Sequence, residues 1–85
     1  MKEFRYVITD PEGVHARPAG ELVKAAKQWE ASVKITSAGK TADAKKIFGL
    51  IGLGIRQGDE IVVTVEGADE EQAAAALEEF LKQAL

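Results

Sequence analysis

Hydrophobic periodicity along these 85 residues alternates between a two-residue and a 3.6-residue repeat, and the order of the switches restricts the fold more than any single motif does. Phe4, Tyr6 and Ile8 alternate with Glu3, Arg5, Val7 and Thr9, which predicts a first strand with one face buried. Ala19, Leu22, Val23, Ala26 and Trp29 then fall on one stripe of a helix expected over roughly Ala16 to Glu30, with Glu21, Lys24, Lys27 and Gln28 on its polar face. Val33 and Ile35 mark a second strand. Ala38-Gly39 reads as a tight turn, and Lys40 to Asp43 as a short third strand closing a hairpin. The stretch KKIFGLIGLG, Lys45 to Gly54, is too glycine-rich for a robust helix and too apolar for an ordinary loop; it predicts a short helix followed by a glycine turn. Gln57-Gly58-Asp59 turns into a strand over Glu60 to Glu66, in which Ile61, Val63 and Val65 share a face and Val62 opposes them, as in a central strand. A last helix starts at Asp69, an N-cap candidate with Gln72 three residues on as a capping box, and buries Ala73, Leu77, Phe80, Leu81 and Ala84. Glu70 and Glu71 at its start and Lys82 near its end suit the helix dipole.

The element order is therefore βαββαβα. Strand, helix and parallel strand cross over right-handedly, and the last strand can enter antiparallel between the first and second. The expected result is an α+β open-faced β-sandwich: a four-stranded antiparallel sheet in the order 1-4-2-3 with the two long helices on one face. The chain length suits one domain over residues 1–85, and no repeat or linker divides it.

Composition narrows the chemistry. There is no cysteine and only one histidine, so no disulfide, thiolate site or familiar zinc constellation is expected and no cofactor is implied; packing alone must hold the chain, most simply in a reducing cytoplasm. Neither a membrane span nor a secretory leader is indicated. The net charge of −3 argues against nucleic-acid binding. Its distribution is uneven, with Arg17, Lys24, Lys27, Lys40, Lys45 and Lys46 between positions 17 and 46 and Glu66, Asp69, Glu70, Glu71, Glu78 and Glu79 in the last quarter. A basic side around the histidine would suit acidic protein partners. Nothing suggests an obligate oligomer, so a monomer is expected.

The lone histidine, His15, stands in Gly13-Val14-His15-Ala16-Arg17-Pro18, where a turn becomes a helix. Pro18 in the first helical turn loses little, because its missing N–H would be unpaired there anyway. A helix start offers free N–H groups and partial positive charge to an anion such as a phosphoryl group, and Arg17 adds a planar cationic fork suited to phosphate oxygens. Nucleophile and anion cradle, comprising Ala16, Arg17 and Pro18, thus lie within three residues of one another. Arg17 precedes proline and is biased away from helical geometry, so an irregular helix start is expected.

The segments GVHARPAGELVK, KKIFGLIGLGIRQGDEI and VEGADEEQAAAAL together resemble the HPr family, the histidine-containing phosphocarriers of the bacterial phosphoenolpyruvate-dependent sugar phosphotransferase system, over essentially the whole chain. The resemblance implies a stoichiometric carrier rather than an enzyme. His15 would accept a phosphoryl group on Nδ1 from enzyme I, itself charged by phosphoenolpyruvate, with Arg17 stabilising it, and pass it to EIIA domains of sugar permeases. It also implies partner docking through Ile47, Phe48 and Ile51, with Lys24 and Lys27 at the edge, and a glycine near the site at Gly54. The position of the regulatory serine found in many Gram-positive relatives is occupied by Lys46, which has no hydroxyl to phosphorylate. The alternatives from the same resemblance are a regulatory binding module and a carrier in a nitrogen-linked pathway. The bland readings are core packing for Phe48 and Ile51, and solvated surface for Lys24, Lys27 and the glutamate pairs of the last helix.

Overall fold

The computed structural model describes residues 1–85. The chain runs β1 (Lys2–Val7), α1 (Ala16–Lys27), β2 (Ser32–Ser37), β3 (Lys40–Asp43), α2 (Ile47–Gly52), β4 (Glu60–Glu66) and α3 (Glu70–Ala84), the predicted βαββαβα order. The sheet is antiparallel in the order β1-β4-β2-β3, so β4 enters between the first two strands as its two-sided apolar pattern implies.

Register follows from the burial of one face. Phe4 opposes Val63 and Tyr6 opposes Ile61 across β1 and β4; Ile35 opposes Val63 and Val33 opposes Val65 across β2 and β4. A one-residue slip would turn this apolar row toward water, which is why the pairing is specified. The hairpin between β2 and β3 closes on Ala38 and Gly39, with φ of 52° and 79°. Two successive positive φ angles give a turn whose twist matches the strands. Alanine occupies the first of them at a cost of roughly 1 kcal/mol.

Ile61, Val63, Val65, Val33 and Ile35 from the sheet join Leu22 and Ala26 of α1, Leu50 of α2, and Ala73, Leu77 and Leu81 of α3 in a single buried cluster. The opposite face is polar: Arg5 pairs with Glu60 at 3.2 Å, and the hydroxyls of Thr36 and Thr41 meet at 2.8 Å. No helix is long and apolar enough to cross a membrane.

Two expectations need correction. Helix α1 stops at Lys27, three residues short of Glu30. The segment beyond it is held by long-range partners instead: Lys45 Nζ donates to the Trp29 carbonyl at 2.8 Å, and the N–H groups of Glu30 and Ala31 both donate to the Asp69 carboxylate at 2.9 Å. The same bonds overturn the capping box. Asp69 does occupy the N-cap of α3, but its side chain makes no cap bond because both oxygens are turned to the α1 exit. The N–H of Gly67 donates to Glu70 Oε1 at 3.2 Å, and Gln72 takes no part. The N–H of Glu30 is the main cause holding the Asp69 carboxyl below its ordinary value; that of Ala31 and the charge of Lys45 act the same way, against desolvation.

Candidate functional site

His15 occupies the N-cap of α1 in extended backbone, φ −94° and ψ −172°. Its carbonyl accepts the first intrahelical bond, from Ala19 N–H at 2.9 Å, while its side chain leaves the helix N–H groups uncapped. Pro18 has no N–H to offer, and those of Ala16 and Arg17 have no acceptor within the chain. No acidic residue stands in the first turn. The irregular start expected before a proline is not seen: Arg17 lies inside α1, and an extended N-cap followed by unpaired N–H groups is how a regular helix begins.

The loop that delivers His15 is tightly built. Asp10 accepts twice, its carboxylate from Glu12 N–H at 2.8 Å and its carbonyl from Gly13 N–H at 2.9 Å. Val14, buried at 5% exposure, donates its N–H to the Ile55 carbonyl at 3.1 Å. Gly13 has φ +68°, and a Cβ there would lie 2.4 Å from the Ile55 oxygen, so only glycine fits. Behind the loop, the Leu85 main-chain oxygen accepts from the N–H groups of Thr9 and Asp10 at 2.7 and 2.9 Å.

The imidazole is 38% exposed, enough for a protein partner to reach it. It lies in an open hollow with Arg17 and Pro18 and with the carboxylates of Asp10, Glu12 and Glu21, closed on one side by Ala84. Arg17 is exposed and makes no ion pair, so its guanidinium is available to an incoming anion. His15, Ala16, Arg17 and Pro18 are therefore brought together as expected. Sequence reasoning missed Glu12, whose Oε2 lies 3.2 Å from His15 Nε2. The three-residue spacing was the available signal, but outside a helix that spacing does not dictate proximity.

The proposed docking residues divide. Phe48 is 86% exposed and Ile51 37%, whereas Ile47 is half-buried and turned toward Gly20 of α1. The core-packing alternative fails for Phe48, and the buried anchor of α2 is Leu50. Lys24 and Lys27 are exposed in the last turn of α1, where their charge suits the helix dipole. Gly54, at φ +64°, sits in the turn after α2 just before Ile55, the residue against which the His15 loop rests. Lys46 is the N-cap of α2 and supplies no side-chain cap.

A family model described as "PTS HPr component phosphorylation site" matches residues 2–83. The chain is 42% identical to the phosphocarrier protein HPr of Mycoplasma genitalium, over 98% of this chain and 96% of the relative. It is 39% identical to that of Lysinibacillus sphaericus, over 98% and 94%. Among solved structures, HPr-C-His from Thermoanaerobacter tengcongensis superposes with a TM-score of 0.94 at 34% identity, covering 99% of this chain and 94% of the other.

Proposed function

Because this chain belongs to the HPr family of phosphocarriers, carriers rather than catalysts, we propose that it accepts a phosphoryl group on His15 from enzyme I, charged by phosphoenolpyruvate, and passes it to EIIA domains of sugar permeases in the cytoplasm. A single observation carries this reading: a half-exposed imidazole at the mouth of a helix whose first two N–H groups are free. The lone pair of Nδ1 attacks phosphorus as the donor's bond to it breaks. Charge on the phosphoryl oxygens is met by the Ala16 and Arg17 N–H groups, the positive end of α1 and the Arg17 guanidinium. The resulting phosphoramidate is labile, because an imidazole protonated on its other nitrogen is a good leaving group, so the group is held only between two docking events.

Phe48 and Ile51 supply an apolar anchor for those partners, and Lys24 and Lys27 a basic rim that steers acidic surfaces toward it. Incubation with enzyme I and phosphoenolpyruvate should add one phosphate, measured by intact mass, and His15→Ala should take none. Equal labelling of that variant would refute the assignment.

A further inference from the structure

We propose that Glu12 is a positioning residue for His15: its carboxylate holds the proton on Nε2, so that Nδ1 is the nitrogen offered to phosphorus and Nε2 keeps its proton while the phosphoryl group is carried. The proposal rests on the carrier reading above and concerns the same ring. The Glu12 carboxylate lies 3.2 Å from His15 Nε2, at ion-pair distance, and negative charge on that side of the ring favours the tautomer that carries its proton on Nε2. A neutral ring with its proton on Nε2 has its free lone pair on Nδ1.

Glu12 is suited to this by its setting. Asp10 fixes its N–H, and the seam of Gly13 and Val14 against Ile55 fixes the residues that follow, so the two side chains leave one rigid loop. The other charged groups facing the hollow are Asp10 from the loop and Arg17 and Glu21 from α1; α3 contributes only Ala84. Of the carboxylates among them, Glu12 alone lies within ion-pair distance of the imidazole. On acceptance, the Nδ1 lone pair becomes the N–P bond and the donor leaves with the electrons of its own bond to phosphorus. The Nε2 proton stays, and the positive charge that the ring acquires is opposed by the Glu12 carboxylate. On hand-off the N–P electrons return to Nδ1 and the ring is neutral again, with no proton exchanged with solvent.

Two measurements test this, with Glu12→Gln as the variant and Glu21→Gln as a control that removes the same charge from the same hollow without touching the ring. Long-range 1H–15N correlation spectra of the neutral imidazole should show the Nε2–H tautomer dominant, and Glu12→Gln should raise the Nδ1–H fraction about twofold or more. After phosphorylation with phosphoramidate, which needs no protein partner, the rate of phosphoryl loss against pH should have its inflection lowered by roughly 0.2–0.7 pH unit in Glu12→Gln. Glu21→Gln should match the wild type in both. Superposable tautomer ratios and pH profiles for Glu12→Gln and wild type would overturn the proposal, as would an equal shift in Glu21→Gln. If the wild type takes no phosphoryl group from enzyme I, the carrier reading fails instead, and the tautomer spectra still judge Glu12.

Discussion

The starts of α1 and α3 are built oppositely. Helix α3 opens with Glu70 and Glu71, and Glu70 accepts from Gly67 N–H and pairs with the Met1 ammonium at 2.6 Å. Helix α1 opens with Ala16 and Arg17 and has no acid in its first turn; neither helix start is capped by a side chain, so the two differ in charge. Since negative charge at a helix start is stabilising, a start without it forgoes stability. At α3 the dipole is answered from within the chain and the element is structural. At α1 it is left to be answered from outside, beside the only histidine. The contrast says that the start of α1 differs from that of α3 in lacking the acids usual there.

Writing the α3 pattern into α1 should erase the distinction. The double variant Ala16→Glu/Arg17→Glu should accept phosphate from enzyme I more slowly by on the order of 100-fold or more, read by quench-flow or intact mass. Each added acid should meanwhile stabilise the helix by about 0.3–1 kcal/mol, seen in denaturant melts. A variant that still accepted phosphate at the wild-type rate would remove the reason for the bare helix start.

Both regions also lean on a glycine with no room for a side chain: Gly13 against Ile55, and Gly67 against Ala31, whose Cα would lie 2.7 Å from an added Cβ. Substitution by alanine should cost roughly 2 kcal/mol at either, lowering the melting temperature by about 10 °C. Only Gly13→Ala should also slow transfer at a temperature where both variants are folded.

Acid should loosen the α3 end. The Met1 ammonium, then Gly67 N–H, hold the Glu70 carboxyl low, as Glu30 N–H does for Asp69. A carboxylate with a depressed folded pKa stabilises above its unfolded value and loses that contribution as pH falls through the folded one. Thermal melts should therefore show stability falling below about pH 4. In Asp69→Asn that part of the fall should be smaller and the neutral-pH melting temperature lower, with phosphoryl uptake unchanged. The smallest effect on stability is expected at Phe48. Its replacement by alanine should stay within about 0.5 kcal/mol of wild type while raising the KM for transfer from enzyme I.

What could be read from the sequence divides along the same line. The strands, the hairpin turn and the helices were legible because each rests on local periodicity or on a two-residue turn such as Ala38-Gly39. The meeting of His15, Ala16, Arg17 and Pro18 at a helix start was legible because they are consecutive. The Asp69 carboxylate was misassigned because its real partners, Glu30 and Ala31, lie 39 and 38 residues away, and local capping is the default only when nothing distant competes. The early end of α1 has the same origin. Glu12 was overlooked because its contact depends on the path of a loop, which no repeat encodes. For Phe48 and Ile47, neighbours on a six-residue helix, pattern alone does not tell which one meets α1.

The Val14 amide bonds to a carbonyl 41 residues farther along, on the stretch that leads out of α2, where Phe48 protrudes. The segment that presents this aromatic ring is thereby tied to the loop that carries His15, so the two share one joint. Hydrogen exchange at this single amide is a gauge of that joint, and should change when a partner binds at Phe48 even if His15 itself is replaced.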